Sequence, residues 1–205
     1  MDKDITLKNI YKSWKTLMKM IEARKFIVEE KQKNMNFDKF KEEYEKKTIN
    51  EIFSKKDDNN KEIMRLYIEY FQYPKINAKH FVDFFDNMNK IEGKSSGIIV
   101  VLNELTSQAK QALIEISTKK QIQCFNISEL MINITEHVDV PKHILLDEKE
   151  KKLLLEKYKI KESQLPKILI TDPVAKFYGL RKGDIVKIIR NSENAGKYVT
   201  YRVTI

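Results

Sequence analysis

Few residues in this 205-residue sequence have the types and spacing that catalysis or metal binding requires. His137 and His143 lie six positions apart around Pro141, which matches no common zinc motif, and no cysteine is near enough in sequence to complete a ligand set. The single cysteine, Cys124, has apolar neighbours and is typical of a core position. GxGxxG, P-loop, HExxH and GxSxG motifs are all absent from the sequence. We therefore expect no catalytic residue, metal site, cofactor or small-molecule substrate in this chain.

One catalytic alternative stays open, a metal-dependent nuclease. Carboxylates near the end of a strand could hold the metal ions that cleave a phosphodiester, and the candidates are Asp57, Asp58, Glu62 and Glu69, around a predicted strand at 65–70. A third of all residues are charged, so such groupings also arise by chance. The second alternative is a free-standing basic nucleic-acid-binding protein without catalysis.

The charge balance indicates an acidic partner. There are 39 Lys and Arg against 30 Asp and Glu, a net charge of +9, and clustered cations favour binding to phosphates. The longest apolar run, 98–102, is far shorter than the roughly 20 residues of a membrane helix, so we expect no membrane span. Asp2 and Asp4 stand where a signal peptide would be positive, which predicts an intracellular protein.

The first 135 residues alternate between predicted helices and strands. Apolar residues at spacings of three and four predict a helix over 5–21, and further helices are predicted around 37–44, around 81–88 and from Thr106 onward. Alternation at 65–70 predicts a half-buried strand, 98–102 a buried central strand, and the polar run 54–61 an exposed loop. Strands separated by helices favour an α/β layer.

The pattern changes after about residue 135. Asp147 and Glu150 form a capping-box-like helix start before a helix ending near Tyr158, and a strand candidate follows at 167–170. Asp172 and Pro173 begin a short helix that Gly179 can end, and two strands joined by the loop 191–197 close the chain. We predict two domains, 1–135 and 136–205, the second a small α+β module with a mixed sheet.

Several long strings in this C-terminal third resemble the fifth subunit shared by eukaryotic RNA polymerases I, II and III, a family that includes a shorter archaeal counterpart. They are ITEHVDVPKHILL (134–146), KYKIKESQLPKI (157–168), TDPVAKFYGLRKGDIVKIIR (171–190) and AGKYVTYRV (195–203). The first 135 residues are similar more loosely, through ARKFIV (23–28), GIIVVLNELTSQAKQAL (97–113) and ELMINITEH (129–137). Archaeal members consist of the C-terminal module alone, so the longer chain implies a eukaryotic-type polymerase. Some cytoplasmic large DNA viruses of the asfarvirus type encode the same subunit.

This resemblance implies a non-catalytic subunit of a DNA-dependent RNA polymerase. The C-terminal assembly domain would dock on the largest polymerase subunit, in contact with the other subunits. The N-terminal jaw domain, with a fold like that of restriction endonucleases, would lie beside downstream double-stranded DNA. The protein would act in the nucleus if the polymerase is cellular, and in the host cytoplasm and virion if it is viral.

The resemblance also implies which residues contact partners. The assembly surface would comprise His137, Pro141, Gln164, Leu165, Pro166, Asp172, Pro173, Arg181, Arg190, Tyr201 and Arg202. DNA phosphates would meet Thr106, Ser107 and Lys110, because a helix N-terminus presents free amide groups to an anion. Family members commonly have Thr-Pro-Ser-Ala where this chain has Thr-Ser-Gln-Ala at 106–109, so the proline is missing here.

Overall fold

The computed structural model describes residues 3–44, 48–57, 61–192 and 196–205. The chain forms two compact units, Met1–Ile132 and Asn133–Ile205. Both units combine helices with a four-stranded mixed sheet.

The N-terminal unit contains five α-helices and four strands within its described residues. In chain order they are α1 (Lys3–Ala23), α2 (Glu30–Lys33), α3 (Phe37–Tyr44), β1 (Asn50–Lys56), β2 (Glu62–Phe71), α4 (Ala78–Asn89), β3 (Ser95–Val101), α5 (Ser107–Lys119) and β4 (Ile122–Asn126). The helices predicted from apolar spacing are confirmed. The buried central strand predicted at 98–102 is also confirmed, as β3.

The sheet of this unit has the order β1-β2-β3-β4, with β1 antiparallel to β2 and the other pairs parallel. Helix α1 contacts one face, where the Ser13 hydroxyl lies 3.2 Å from the Tyr70 hydroxyl. Helices α4 and α5 pack on the other face, in a core that includes Phe71, Phe81 and Ala109. Cys124 packs against the same core, as its apolar neighbours predict.

Two expectations about this sheet are wrong. Residues 54–56 are not in a loop but belong to β1, which pairs with β2 in a hairpin. Only Phe53 of β1 is buried, so the strand is too polar to be recognised from its pattern. Strand β2 is not half-buried, because every residue from Leu66 to Phe71 is buried between α1 on one side and α4 on the other.

The C-terminal unit contains β5 (Lys142–Leu145), α6 (Glu148–Tyr158), β6 (Lys167–Ile168), α7 (Pro173–Tyr178), β7 (Ile185–Ser192) and β8 (Gly196–Thr204). Its sheet has the order β5-β7-β8-β6, in which only the β6–β8 pair is parallel. This is the α+β arrangement with a mixed sheet that was expected. The predicted hairpin is confirmed in β7 and β8, although residues 193–195 of its loop lie outside the described residues.

The helix ends in this unit are fixed by local hydrogen bonds. The Glu150 amide donates to Asp147 Oδ1 at 2.7 Å and the Asp147 amide donates back to Glu150 Oε2 at 3.0 Å, which confirms the predicted capping box. Asp172 caps α7, and Gly179 ends it with φ of 65°, a conformation that glycine adopts without steric cost.

Each face of the small sheet packs against one helix. The buried cluster on one face joins Ala175 of α7 to Ile168, Leu180, Val186 and Ile188. The buried cluster on the other face joins Leu154 of α6 to Leu165, Ile185 and Val203. Within the described part of the chain, no helix combines the length and apolar character needed to cross a membrane.

Candidate functional site

The C-terminal candidates divide between the two faces of the small sheet. Strand alternation and register place Arg190, Arg202 and His143 on the face that carries α7, since Ile188 pairs with His143 and Val186 pairs with Arg202. We call His143, Asp172, Arg190 and Arg202 the arginine face. Three of these four residues were predicted from the sequence, and His143 was not predicted as an interface residue.

The three charged residues of the arginine face all influence the pKa of His143. The ring nitrogen Nδ1 lies 2.7 Å from the Pro141 carbonyl oxygen, and the ring is half-buried. Burial lowers the pKa of His143, the Pro141 carbonyl and Asp172 act in the opposite direction, and the positive charges of Arg190 and Arg202 lower it further. The imidazole is therefore neutral at neutral pH, and the net charge of the face comes from two arginines and one carboxylate.

The carboxylate of Asp172 already has hydrogen-bond partners. Oδ1 accepts from the amides of Val174 at 2.8 Å and Ala175 at 3.4 Å, which caps α7. Among the residues that the structure describes, neither Arg190 nor Arg202 has an ion-pair partner. Arg190 is exposed and Arg202 is partly exposed, so both guanidinium groups are available to a carboxylate from outside.

Four of the eight remaining C-terminal candidates have local structural roles. Leu165 is only 8% exposed and packs with Tyr201 against the core on the α6 face. Gln164 Oε1 accepts from the Lys161 amide, and the Pro166 carbonyl accepts from the Val203 amide. Gln164, Pro166, Pro173, Arg181 and His137 are exposed, whereas Pro141 is partly exposed.

The N-terminal candidates lie at the start of α5. Thr106 is the N-cap, and its hydroxyl oxygen accepts from the Ala109 amide at 3.2 Å. Ser107 and Lys110 are exposed in the first turn, where the free amides and the helix dipole favour an anion. The helix forms with Ser107 rather than a proline at its first position, because the threonine cap supplies the start signal.

Among the described residues, Glu69 lies far from Glu62, another of the carboxylates proposed for a nuclease. Asp58 lies outside the described residues. Glu62 Oε1 accepts from Arg65 Nε at 2.5 Å, and Asp57 Oδ1 accepts from the Lys61 amide. Glu69 lies seven residues from Glu62 along β2, about 23 Å away in an extended strand.

Glu69 is a buried acid in the core of the sheet rather than a ligand. Its Oε2 accepts from the Tyr67 hydroxyl at 2.9 Å, and burial raises the pKa of Glu69. Among the described residues, no group of three His, Cys, Asp or Glu side chains could hold a metal ion.

Comparison with known proteins matches both units to one family. Residues 4–88 match RNA polymerase Rpb5, N-terminal domain, and residues 132–204 match RNA polymerase Rpb5, C-terminal domain. The DNA-directed RNA polymerases I, II, and III subunit rpabc1 of Dictyostelium discoideum is 41% identical over 193 residues, 93% of this chain and 94% of the relative.

Two further relatives match over almost the full length. RPABC1 of Caenorhabditis briggsae, named as a subunit of the same polymerases, is 35% identical over 95% of this chain and 96% of its own. DNA-directed RNA polymerase subunit 5-like protein 1 of Arabidopsis thaliana is 32% identical over 100% of this chain and 99% of its own. With identities above 30% across both units, the chain belongs to the RNA polymerase Rpb5 family.

Proposed function

We propose that this protein is a non-catalytic subunit of a multisubunit DNA-dependent RNA polymerase. The observation that carries the proposal is the near-full-length identity, 41% over 93% of the chain, to a subunit of RNA polymerases I, II and III. The dispersed carboxylates Glu62 and Glu69 and the family membership both speak against the nuclease alternative.

The C-terminal unit is the part that docks on the largest polymerase subunit, and the arginine face is the centre of that contact. Arg190 and Arg202 project from two paired strands, so their positions are fixed by the hairpin rather than by a flexible loop. Their charge is not matched by an ion-pair partner among the described residues. Guanidinium groups in this situation favour a bidentate contact with a carboxylate of the partner.

The N-terminal unit is a jaw with a restriction-endonuclease-like fold beside downstream DNA. The start of α5 supports this role, because Ser107 and Lys110 are exposed where free amides favour a phosphate. Such contacts are made to the DNA backbone and carry no sequence specificity. The protein acts where its polymerase acts, in the nucleus if that enzyme is cellular and in the host cytoplasm and virion if it is viral.

The test is recovery of polymerase subunits with the tagged full-length chain. The variant Arg190→Ala/Arg202→Ala should lose about 2 kcal/mol of binding free energy, roughly a 30-fold weaker Kd, since truncated interface arginines are frequent hot spots. The measurement is quantitative mass spectrometry of the largest polymerase subunit bound at moderate salt, with wild type in parallel.

The matched control is Lys149→Ala/Lys152→Ala, which removes two exposed cations from α6 on the opposite side of the small sheet. It should retain wild-type recovery. Equal losses in the two variants would show that charge alone governs recovery. A wild-type chain that recovers no polymerase subunit would refute the proposed function.

A further inference from the structure

Helix α1 carries an uninterrupted row of positive charge on its exposed side. We call Lys8, Lys12, Lys15 and Lys19 the α1 lysine stripe; all four residues are exposed. At about 100° per residue they fall within an arc of roughly 60°, and at 1.5 Å per residue they extend over about 16 Å. The buried residues of α1, among them Trp14, lie on the opposite side against the sheet.

The charge of the first three lysines of the stripe is not neutralised within the described structure. Among the side chains that it describes, no carboxylate forms an ion pair with Lys8, Lys12 or Lys15. Glu22, one turn beyond the stripe, is paired with Lys33 at 2.7 Å. Like charges three and four residues apart destabilise a helix, so the stripe lowers the stability of α1 unless an anion offsets it.

A solvated helix face usually carries both positive and negative side chains, whereas the α1 lysine stripe carries only positive ones. Residues 8–19 contain no acidic residue, whereas α6 places Glu148, Glu150 and Glu156 among its lysines. The α1 lysine stripe also has no large exposed apolar side chain among the described residues of its helix. Lysine is depleted at the centres of protein interfaces, whereas arginine is enriched there, so an all-lysine surface favours a polyanion over a protein partner.

We propose that the α1 lysine stripe binds the phosphate backbone of double-stranded DNA. A duplex strand carries one negative charge per about 3.4 Å of the helix axis, so about five phosphates of one strand lie within the roughly 16 Å of the stripe. Lysine ammonium groups contact phosphates as point charges and read no base sequence. The ring of Tyr11 lies 5.4 Å from the Lys15 ammonium and helps to hold it at the surface.

This surface is separate from the start of α5. Helix α1 packs on the sheet face that carries Tyr70, and α5 packs through Ala109 on the face that carries Phe71. Adjacent strand residues point to opposite faces, so the sheet lies between the stripe and Lys110. The inference therefore goes beyond the proposed jaw contact and does not depend on assembly into a polymerase.

The experiment measures, by fluorescence anisotropy, the binding of the isolated full-length chain to a fluorescein-labelled duplex of about 30 base pairs. The affinity is measured at KCl concentrations from about 25 to about 200 mM, because binding through phosphate contacts weakens steeply over this range. Each lost phosphate contact should reduce the slope of log K against log salt by about 0.9. We expect Lys8→Gln/Lys12→Gln/Lys15→Gln to reduce the slope by up to about 2.7, and Lys12→Gln alone by about 0.9.

Two control variants test whether a phosphate contact or the net charge sets the slope, and a fluorescence measurement tests whether each variant is folded. Lys149→Gln/Lys152→Gln/Lys157→Gln removes the same charge from α6 and should leave the slope within about 0.9 of wild type. Lys8→Arg/Lys12→Arg/Lys15→Arg keeps the charge and should keep the slope. Trp14, only 1% exposed and packed beneath the stripe, reports by its fluorescence whether each variant is folded.

Equal slopes in the α1 and α6 glutamine variants would overturn the proposal. So would an α1 variant that loses binding to poly-glutamate while its duplex binding is unchanged, because the surface would then serve an acidic protein. No polymerase is present in the assay, so the outcome is independent of whether Arg190 and Arg202 bind the largest subunit.

Discussion

Gly97 is the position where adding one methyl group should harm the N-terminal unit most directly. It lies in the central strand β3, and a Cβ atom there would stand 2.8 Å from Cε1 and Cζ of Phe84 and 3.1 Å from Met88 Sδ. Carbon atoms do not approach so closely, and Phe84 is 1% exposed, so the ring has no free space to move into. Overpacking of this kind typically costs about 1–3 kcal/mol, which we expect for Gly97→Ala.

The assay is urea unfolding followed by tryptophan fluorescence. Trp14 is the single tryptophan of the chain and is buried in α1, so its emission reports the N-terminal unit. Gly97→Ala should lower the urea concentration at the midpoint of unfolding. The slope of the unfolding free energy against urea concentration should stay unchanged, because only stability is lost.

A double-mutant cycle tests the cause. Leucine lacks the two ring carbons that clash, so Phe84→Leu should relieve the strain from Gly97→Ala even though it is destabilising by itself. The double variant should then lose less free energy than the sum of the single variants, by about 1 kcal/mol. Strict additivity, or a Gly97→Ala variant as stable as wild type, would refute the close-packing explanation.

Three further outcomes follow from single side chains. Asp172→Ala should destabilise the C-terminal unit by about 1 kcal/mol in calorimetry, because two amides of α7 lose their acceptor, while Asp172→Asn should lose less. Burial raises the pKa of Glu69, so its contribution to stability is present below its ordinary pKa and is lost as pH rises through the raised value. The unfolding free energy should therefore fall less in Glu69→Gln than in wild type between about pH 5 and about pH 7.5, a range that lies above the ordinary pKa of a glutamate. Lys110→Ala should lower the salt slope of elongation-complex stability by about 0.9, and an unchanged slope would exclude a phosphate contact there.

Local signals predicted much of the fold. The capping residues Asp147 and Asp172 and the left-handed Gly179 act within one helical turn, so their effect is visible in sequence and is found in the structure. The apolar period of α1 is strong because one side of the helix is fully buried. These features depend on neighbours close in sequence and need no knowledge of the rest of the chain.

Strand β1 could not be predicted in this way. It is an edge strand with Phe53 as its only buried residue, so it has neither an alternating nor an apolar pattern. Its stability comes from pairing with β2, as in the register of Phe53 with Leu66. Strand β2 likewise looked half-buried because Tyr67 and Glu69 are polar at their tips, although both are buried and hydrogen-bonded to each other. Tertiary pairing decides both cases.

The arginine face shows the same limit for the candidate site. The resemblance implies Arg190 and Arg202 as interface residues, but that both lie on the sheet face of His143, 59 positions before Arg202, follows only from the pairing of β5, β7 and β8. A sequence pattern contains the alternation of each strand but not which strands are neighbours. His143 could have been found from the alternation of β5 once β7 was known to be its partner.

The helix cap of α7 includes the acidic residue of the arginine face. Asp172 is the acidic member of the arginine face, and its Oδ1 is held by the amides of Val174 and Ala175. A carboxylate fixed at a helix N-terminus interacts favourably with the helix dipole and is not free to turn towards a guanidinium group. Among the described residues Asp172 forms no ion pair with Arg190 or Arg202, so the aspartate that stabilises the fold leaves both guanidinium groups without an ion-pair partner. Asp172→Asn separates the two effects, because it keeps an oxygen acceptor for the cap while it removes the negative charge. It should cost less stability than Asp172→Ala and increase the affinity for an acidic partner, and a decrease in affinity would instead place Asp172 in direct contact with that partner.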